Sequence, residues 1–268
     1  MNKLSLCLQH LIQRFLTAIS GFTLLGLMIA IPGFAEETIT AYNSYNSVPF
    51  VVDQGGLATD LVGYLNGKLK GKYHLQLNTT TRERLNQTIQ TAENNHDTKA
   101  VFLFLNPSFI NDTDKKKFHW TPPIMPDANI VISTAQRKIE YQSPASLQGL
   151  RFGAIHGNRY AGLEDQFGKN ITRDNVNEEL SNIKKIASGK IDVTIMASST
   201  YRYLLKQLGN QSEMKNLFYV ATKPQSSFER FIFLNKDQQV LGKELDTVIS
   251  GMRSDPVWKA ILQKYAIE

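Results

Sequence analysis

The chain is poor in cysteine. Of its 268 residues only Cys7 is a cysteine, and it lies in an N-terminal segment that we expect to be removed. The remaining chain then has no thiol, which excludes disulfide bonds, cysteine nucleophiles and thiolate metal ligands. Its histidines are few and scattered, without the short spacings that metal sites use, so we predict no metal site and no cofactor.

Two further absences narrow the function. The chain has no Gly-x-Ser-x-Gly elbow, no phosphate-binding glycine loop and no His-Glu-x-x-His, so its motifs do not indicate an enzyme. The formal net charge is +6, but the basic residues are dispersed. The one dense run, Lys115, Lys116 and Lys117, lies beside Asp112 and Asp114 and is interpreted as a solvated helix face. A nucleic-acid partner is therefore not expected.

A single long hydrophobic run is present, over residues 15–31. Basic Lys3 and Arg14 precede it, and the small residues Gly33 and Ala35 follow it. This order is typical of a secretory signal peptide over residues 1–35 and predicts cleavage after Ala35 and a periplasmic location. The alternative is an uncleaved anchor helix, because the run is near the lower length limit for a membrane span. Without a second run of that length, the mature chain is expected to be soluble.

Beyond residue 35, short β-rich runs alternate with helical stretches. Residues 100–105 are a continuous apolar run typical of a buried parallel strand, and residues 57–69 carry an apolar stripe at helical spacing. This alternation predicts an α/β fold with mainly parallel sheets. The predicted strands are residues 38–42, 73–77, 100–105, 128–134, 150–155, 191–196, 217–221 and 228–234, and the predicted helices are 56–69, 81–93, 144–149, 158–167, 176–187, 199–208, 237–253 and one after Asp255.

Several segments also occur in a characteristic order. They are Val48-Pro49-Phe50, the basic run with Phe118-His119-Trp120-Thr121-Pro122-Pro123 after it, residues 146–157 (SLQGLRFGAIHG), residues 186–193 (IASGKIDV) and residues 257–265 (VWKAILQKY). In this order they resemble the family 3 extracellular solute-binding proteins, periplasmic receptors that supply polar amino acids and similar solutes to ABC importers. The resemblance covers nearly the whole mature chain.

The resemblance implies a two-lobed, type II periplasmic-binding-protein fold. Each lobe would be a mainly parallel sheet with helices on both faces. Residues 36–128 and 225–268 would form lobe 1, and residues 129–224 would form lobe 2, with crossings near residues 126–129 and 222–226. A small polar solute would be held between the lobes of a monomer, and an ABC permease or a membrane sensor would read the closed form.

Three loops and one helix start are expected to face the ligand. Aromatic rings and amides in residues 42–50 and 106–111 would pack and orient a solute. A helix starting after Gly157 would favour an anion, and Arg159 would add a two-pronged contact. The predicted ligand-binding residues are Tyr45, Asn46, Phe50, Asn106, Ser108, Asn158, Arg159, Tyr160 and Ser198. The alternatives are a core role for Phe50, a surface role for Arg159 and helix capping alone for Ser198.

Two positions depart from the amino-acid receptors of the family. Where those receptors carry a carboxylate-binding arginine this chain has Asp114, and where they carry an acidic residue for the amino group it has Ala197. The identity of the ligand is therefore open, and a small polar or anionic solute is expected. We expect a binding protein and not an enzyme. The rivals are a sensory module of the same fold and a hydro-lyase that uses His156 or Glu164.

Overall fold

The predicted alternation of strands and helices is present in the computed structural model of the chain. The structure describes residues 36–94, 98–160, 162–168, 172–209 and 216–267. The predicted signal peptide and its cleavage site lie in or at the edge of residues 1–35, outside the described residues. No helix in the described part of the chain is both long and apolar enough to span a membrane.

The first sheet is built on three parallel strands. They are β1 (Glu37–Asn43), β2 (Tyr73–Thr79) and β3 (Ala100–Leu105), in the order β2-β1-β3, and helices α1 (Leu57–Leu69) and α2 (Arg82–Asn94) connect them. Every residue of β3 is buried, as expected for a parallel strand that is covered on both faces. The short strand β4 (Phe118–Trp120) joins this sheet through an antiparallel partner described below.

The second sheet is also built on three parallel strands. Strands β6 (Phe152–Ile155), β7 (Arg173–Val176) and β8 (Val193–Ala197) are parallel, and β5 (Met125–Thr134) runs antiparallel to β8. The short strand β9 (Phe218–Val220) pairs with β5. The helices α3 (Leu163–Phe167), α4 (Glu179–Ala187) and α5 (Ser198–Gln207) accompany this sheet.

The two sheets meet where β5 pairs with the last strand, β10 (Ser226–Asn235). Residues 226–230 of β10 run antiparallel to residues 125–129 of β5, and the next residues of β10 pair with β3 and β4 instead. Both strands therefore pass from one sheet to the other at this junction. The helices α6 (Gln239–Met252) and α7 (Pro256–Lys264) then return to the first sheet.

The apolar cores are divided in the same way. Buried residues within 39–125 and 232–267 surround the first sheet, and buried residues within 131–221 surround the second. We call these parts the first and second lobes. Trp258 of α7 is fully buried in the first core, and Asp255 caps its helix by accepting a hydrogen bond from the Val257 N–H at 2.8 Å. The lobe boundaries given above remain a prediction.

Three local features differ from the expectations. The helix expected from residue 158 begins at Leu163 and has five residues. The basic run does not lie on a helix: Lys115 has φ +55°, and the Asp112 carboxylate accepts hydrogen bonds from the Lys117 and Phe118 N–H groups, which holds these residues in a loop before β4. Strands β4 and β7 were not predicted.

Two glycines give a test of the packing around β6. An alanine Cβ at Gly153 would collide with the Ile191 side chain and lie 2.7 Å from the Asn182 Oδ1. We expect Gly153→Ala to lower the free energy of unfolding by about 1–3 kcal/mol, because neither buried neighbour can move away freely. Gly63→Ala is the matched control. Gly63 is exposed within α1 with open space around its Cβ position, so alanine should raise stability by about 0.5–1 kcal/mol. Urea unfolding followed by circular dichroism measures both, and equal effects would contradict the packing.

Candidate functional site

A buried ion pair lies at the junction of the two sheets. Arg230 of β10 donates from Nε to the Asp127 Oδ2 atom at 2.8 Å, and its Nη2 lies 2.8 Å from the same oxygen as an ion pair. The arginine side chain is 2 % exposed and the aspartate side chain is fully buried. Arg230 Nη1 also donates to the Phe104 carbonyl at 3.1 Å. Buried charges require such complete hydrogen bonding, because water no longer solvates them. We call Asp127 and Arg230 the junction pair.

Three aromatic rings surround the guanidinium of the junction pair. Its Cζ lies 4.5 Å from the centroid of the Tyr45 ring, 4.7 Å from that of Phe50 and 5.1 Å from that of Phe228. These distances are within the range of cation–π attraction. We call the three rings the ring cage. Phe50 is 1 % exposed, so its ring packs within the protein and against Arg230.

The backbone of β3 is unusual beside the junction pair. Phe104 has φ +63°, in the left-handed region that bulky residues rarely adopt. The β3–β10 ladder shifts its register in the same place, between Phe231 and Phe233. The bulge adds a residue on β3, and the Phe104 carbonyl accepts the Arg230 hydrogen bond. The left-handed Phe104 thus supplies the carbonyl to which Arg230 donates.

The carboxylate of Asp127 caps the start of α5. It accepts hydrogen bonds from the Ser198 hydroxyl at 2.8 Å, the Ser199 hydroxyl at 2.8 Å and the Ser199 N–H at 3.2 Å. A helix start favours a negative charge because its N–H groups lack partners within the helix. Burial pushes the pKa of Asp127 upward, but the Arg230 charge and the serine donors outweigh it, so the pKa lies below its usual range.

Two more predicted residues follow β3 at the same edge. The Asn106 side chain donates to the Glu229 carbonyl of β10 at 2.9 Å. Its oxygen accepts hydrogen bonds from the Ser108 N–H at 3.0 Å and the Ser108 hydroxyl at 2.8 Å, which starts a short 3₁₀ turn. Asn106 thereby anchors this loop to β10. Ser108 is exposed at the surface.

A second arginine approaches the ring cage. Arg82, the first residue of α2, is half-buried, and its Cζ lies 5.5 Å from the centroid of the Tyr45 ring. It forms no ion pair with any residue that the structure describes. Two guanidinium groups thus flank one tyrosine, while Asp127 supplies the one carboxylate bonded to either of them among the described residues. The cluster carries a surplus positive charge.

The remaining predicted residues lie away from the junction pair. Tyr160 is buried in the second lobe, with its ring edge-on to Phe152 at 4.9 Å, and its hydroxyl accepts a hydrogen bond from the Ile155 N–H at 2.8 Å. Arg159 is exposed and lies 3.5 Å from Asp165. Asn158 is exposed, and its carbonyl accepts from Arg173 at 3.0 Å.

The structure therefore divides the nine predicted ligand-binding residues. It brings Tyr45, Phe50 and Ser198 into contact with the junction pair, places Asn106 and Ser108 on the adjoining strand end, and leaves Asn46 exposed next to Tyr45. Residues 158–160 form a separate loop after β6. Sequence reasoning missed Asp127, Arg230, Phe228 and Arg82. For Arg230 the sequence did offer a signal, because Glu229 and Arg230 are charged residues within the otherwise apolar run of residues 228–234.

Half-buried polar groups lie near the loop of residues 158–160. Glu164 accepts hydrogen bonds from the Tyr160 N–H at 2.9 and 3.0 Å and from Arg173 at 2.9 Å. Near them, Glu179 has one carboxylate oxygen without a partner, and burial raises its pKa to about 7. Burial also raises the pKa of Tyr160 to about 12. Glu164 is thus engaged in structural hydrogen bonds.

A recess of about 580 Å³ runs along α5. Its walls are mostly apolar, and two of its polar wall groups are engaged in hydrogen bonds: the Ser198 hydroxyl donates to Asp127, and the Arg202 guanidinium donates to the Ile267 carbonyl, each at 2.8 Å. The lining residues are Ile130, Ser198, Tyr201, Arg202, Leu205, Phe218, Val220 and Ala266. Within the described ranges, no group of three or more histidine, cysteine or acidic residues is placed to hold a metal ion.

The fold is shared with solved structures. No protein-family model matches the sequence, and no curated protein matches it either. An ancestral arginine-binding protein bound to glutamine is 14 % identical over 87 % of this chain and all of its own, with a TM-score of 0.60. The ancestral cationic amino acid solute-binding protein AncCDT-1 is 15 % identical over 85 % of this chain and 95 % of its own, with a TM-score of 0.62.

A third structure extends the comparison. The substrate-binding protein AbpA of an amino acid ABC transporter from Streptococcus pneumoniae, bound to L-arginine, is 16 % identical over 86 % of this chain and 96 % of its own, with a TM-score of 0.57. At such identities the likeness concerns the fold alone. It confirms the expected fold class, the two-lobed α/β fold of type II periplasmic binding proteins.

The junction pair gives a stability test. Asp127→Asn leaves the Arg230 guanidinium buried beside a neutral amide, so we expect the free energy of unfolding at pH 7 to fall by about 3–5 kcal/mol. The difference should shrink in strong acid, because the wild-type carboxylate is itself protonated once the pH falls below its lowered pKa. Asp114→Asn is the control: Asp114 is exposed and paired with Lys116, and its loss should change stability by less than about 0.5 kcal/mol. Equal losses in urea unfolding would refute the assignment.

Glu179, which is half-buried with its Oε2 atom inaccessible to solvent, gives a test with the opposite pH dependence. Its pKa of about 7 lies above the usual 4.5, so the folded protein binds a proton that the unfolded chain releases. Stability is then greatest below pH 4.5 and falls as the pH rises through 7. We expect Glu179→Gln to be more stable than wild type by about 1–3 kcal/mol at pH 8 and nearly equal at pH 4. Glu178→Gln, at the exposed neighbouring position, should show no such difference in urea titrations at the two pH values.

Proposed function

We propose that this chain is a periplasmic solute-binding protein that retains a small polar or anionic solute between its two lobes and delivers it to a membrane importer. The two-lobed fold and the predicted signal peptide support this role. The carrying observation is Arg82, a half-buried guanidinium without an ionic partner among the described residues, next to the loop that follows β1. A carboxylate or phosphate is the group that such a guanidinium binds best.

Closure of the lobes would follow from differential contact. The solute would touch Arg82, Tyr45 and Ser108 on the first lobe and the loop of residues 157–160 on the second. Because both sets of contacts form together only in the closed state, the solute favours closure by its difference in affinity for the two states. Arg159 is exposed, and its ion pair with Asp165 is a long surface contact of 3.5 Å. Exchanging that pair for a ligand contact therefore costs little free energy.

The charge of the site supports an anionic ligand. Two of the neighbouring structures were solved with arginine or glutamine bound, and AncCDT-1 is described as a binder of cationic amino acids. In this chain the residues at the two positions that the resemblance assigns to an amino-acid clamp are Asp114 and Ala197. The surplus arginine beside Tyr45 adds positive charge. A monovalent or divalent organic acid, or a phosphonate, matches that surplus better than a cation does.

A ligand screen with matched arginine variants tests the proposal. Thermal shift against amino acids, organic acids, phosphonates and amines should give a stabilising anionic compound that is recovered unchanged. Arg82→Ala should then weaken its binding tenfold or more, on the order of the loss of one charge-assisted hydrogen bond. Arg84→Ala, at an exposed position on the same helix, should leave the Kd unchanged.

Two further arms complete the experiment. Arg159→Ala tests the second lobe, and a loss of tenfold or more is expected there as well. Chemical analysis of the recovered compound tests the hydro-lyase alternative, because one neighbour is the ancestral AncCDT-1 described as a precursor of cyclohexadienyl dehydratase. Consumption of the compound would replace the binding proposal with the enzymatic one. An unchanged Kd in Arg82→Ala would remove Arg82 from the site.

A further inference from the structure

The junction pair and the ring cage together contain every group that a guanidinium-binding site needs. Three aromatic rings lie within 4.5 to 5.1 Å of the Arg230 Cζ. A carboxylate oxygen accepts a hydrogen bond from Nε and lies 2.8 Å from Nη2, and a backbone carbonyl accepts a hydrogen bond from Nη1. The surroundings are dry, since the side chain is 2 % exposed. Aromatic faces combined with a buried carboxylate are the recognition chemistry for an organic cation.

We infer that the Arg230 side chain fills a cation-binding site at the lobe junction. Because the site is filled, the protein does not bind guanidinium or ammonium solutes there. The inference rests on the proposed function, because it assigns a specificity role at the same lobe junction. It names the excluded ligand class, organic cations, and the residue that excludes them.

Occupation by the chain itself has a thermodynamic advantage over a free cation. The guanidinium is covalently attached to β10 and already positioned, so it loses none of the translational freedom that a solute must give up. Displacing it would leave a charged arginine buried without a partner, which is strongly unfavourable. A cationic solute therefore meets a filled cage, and Arg82, Ser108 and the exposed part of Tyr45 remain for a ligand.

The cage is built to persist without the arginine side chain. Asp127 is held by the Ser198 and Ser199 hydroxyls and by the Ser199 N–H, all from the start of α5. These donors favour the ionised carboxylate independently of Arg230. Tyr45 and Phe50 are held by ring contacts with each other at 4.7 Å and with Phe104 at 6.5 and 4.9 Å. Truncation at residue 230 should thus leave an acidic, aromatic cavity.

Chemical rescue of Arg230→Ala is the test. Ethylguanidinium at millimolar concentration should raise the melting temperature of Arg230→Ala by several degrees and bind it at least about tenfold more tightly than it binds wild type, as expected for a charge-assisted contact. Ethylammonium should act more weakly, because it lacks the planar fork. The double variant Asp127→Asn/Arg230→Ala keeps the rings but lacks the carboxylate, and it should lose the response to ethylguanidinium.

Folding of the variant is controlled separately. If Arg230→Ala is unfolded in the absence of ethylguanidinium, its refolding from urea is followed by circular dichroism with and without the ion. Refolding only in the presence of ethylguanidinium supports the inference. No response in either assay would overturn it. The inference would also be overturned if wild type bound arginine, lysine or ethylguanidinium and Asp127→Asn did not. The site formed by the ring cage and Asp127 would then be open to cations.

The outcome is distinguishable from that of the proposed function. The rescue experiment uses no natural solute and reads only the cavity at residue 230. If ethylguanidinium rescues Arg230→Ala but the screen finds no ligand for wild type, the solute-binding proposal fails. The inference that Arg230 occupies a cation-binding site is then still supported. If an anionic ligand is found while rescue fails, the function stands and Arg230 is a structural ion-pair residue alone.

Discussion

A fully buried charge pair dictates the arrangement of the region where the two lobes meet. Asp127 and Arg230 are shielded from water, so each of their polar atoms needs a protein partner. The partners come from both lobes: the Phe104 carbonyl and the ring cage from the first, and the serines at the start of α5 from the second. The left-handed Phe104, the bulge of β3 and the cap of α5 all serve this requirement.

This constraint connects the fold to ligand chemistry. The junction pair neutralises itself and is buried where the two sheets meet. The charge left over is that of Arg82, which shares the Tyr45 ring with Arg230 but has no carboxylate of its own among the described residues. This surplus charge is the basis on which we propose an anionic solute, although the fold is shared with proteins solved with arginine bound.

Much of the secondary structure was predictable because it depends on local pattern. The apolar run at residues 100–105 became β3 with identical limits, and the stripe at residues 57–69 became α1. The strand β7 was not predicted because Arg173, Asp174 and Asn175 are polar. At this edge position Arg173 forms an ion pair with Glu164, and Asp174 forms one with Lys185. The prediction of a helix from residue 158 was wrong because Tyr160 is buried and packs on Phe152.

The sequence by itself determined most of the elements of this protein, their α/β order and the loops in which polar and aromatic residues collect, since hydrophobic period and turn chemistry act over a few neighbouring residues. Only the tertiary structure decided which of those residues meet. Asp127 and Arg230 are 103 residues apart in the chain, and their contact exists because β5 and β10 cross between the sheets in one register. Pairing at that range depends on the packing of the whole fold, which no local pattern encodes.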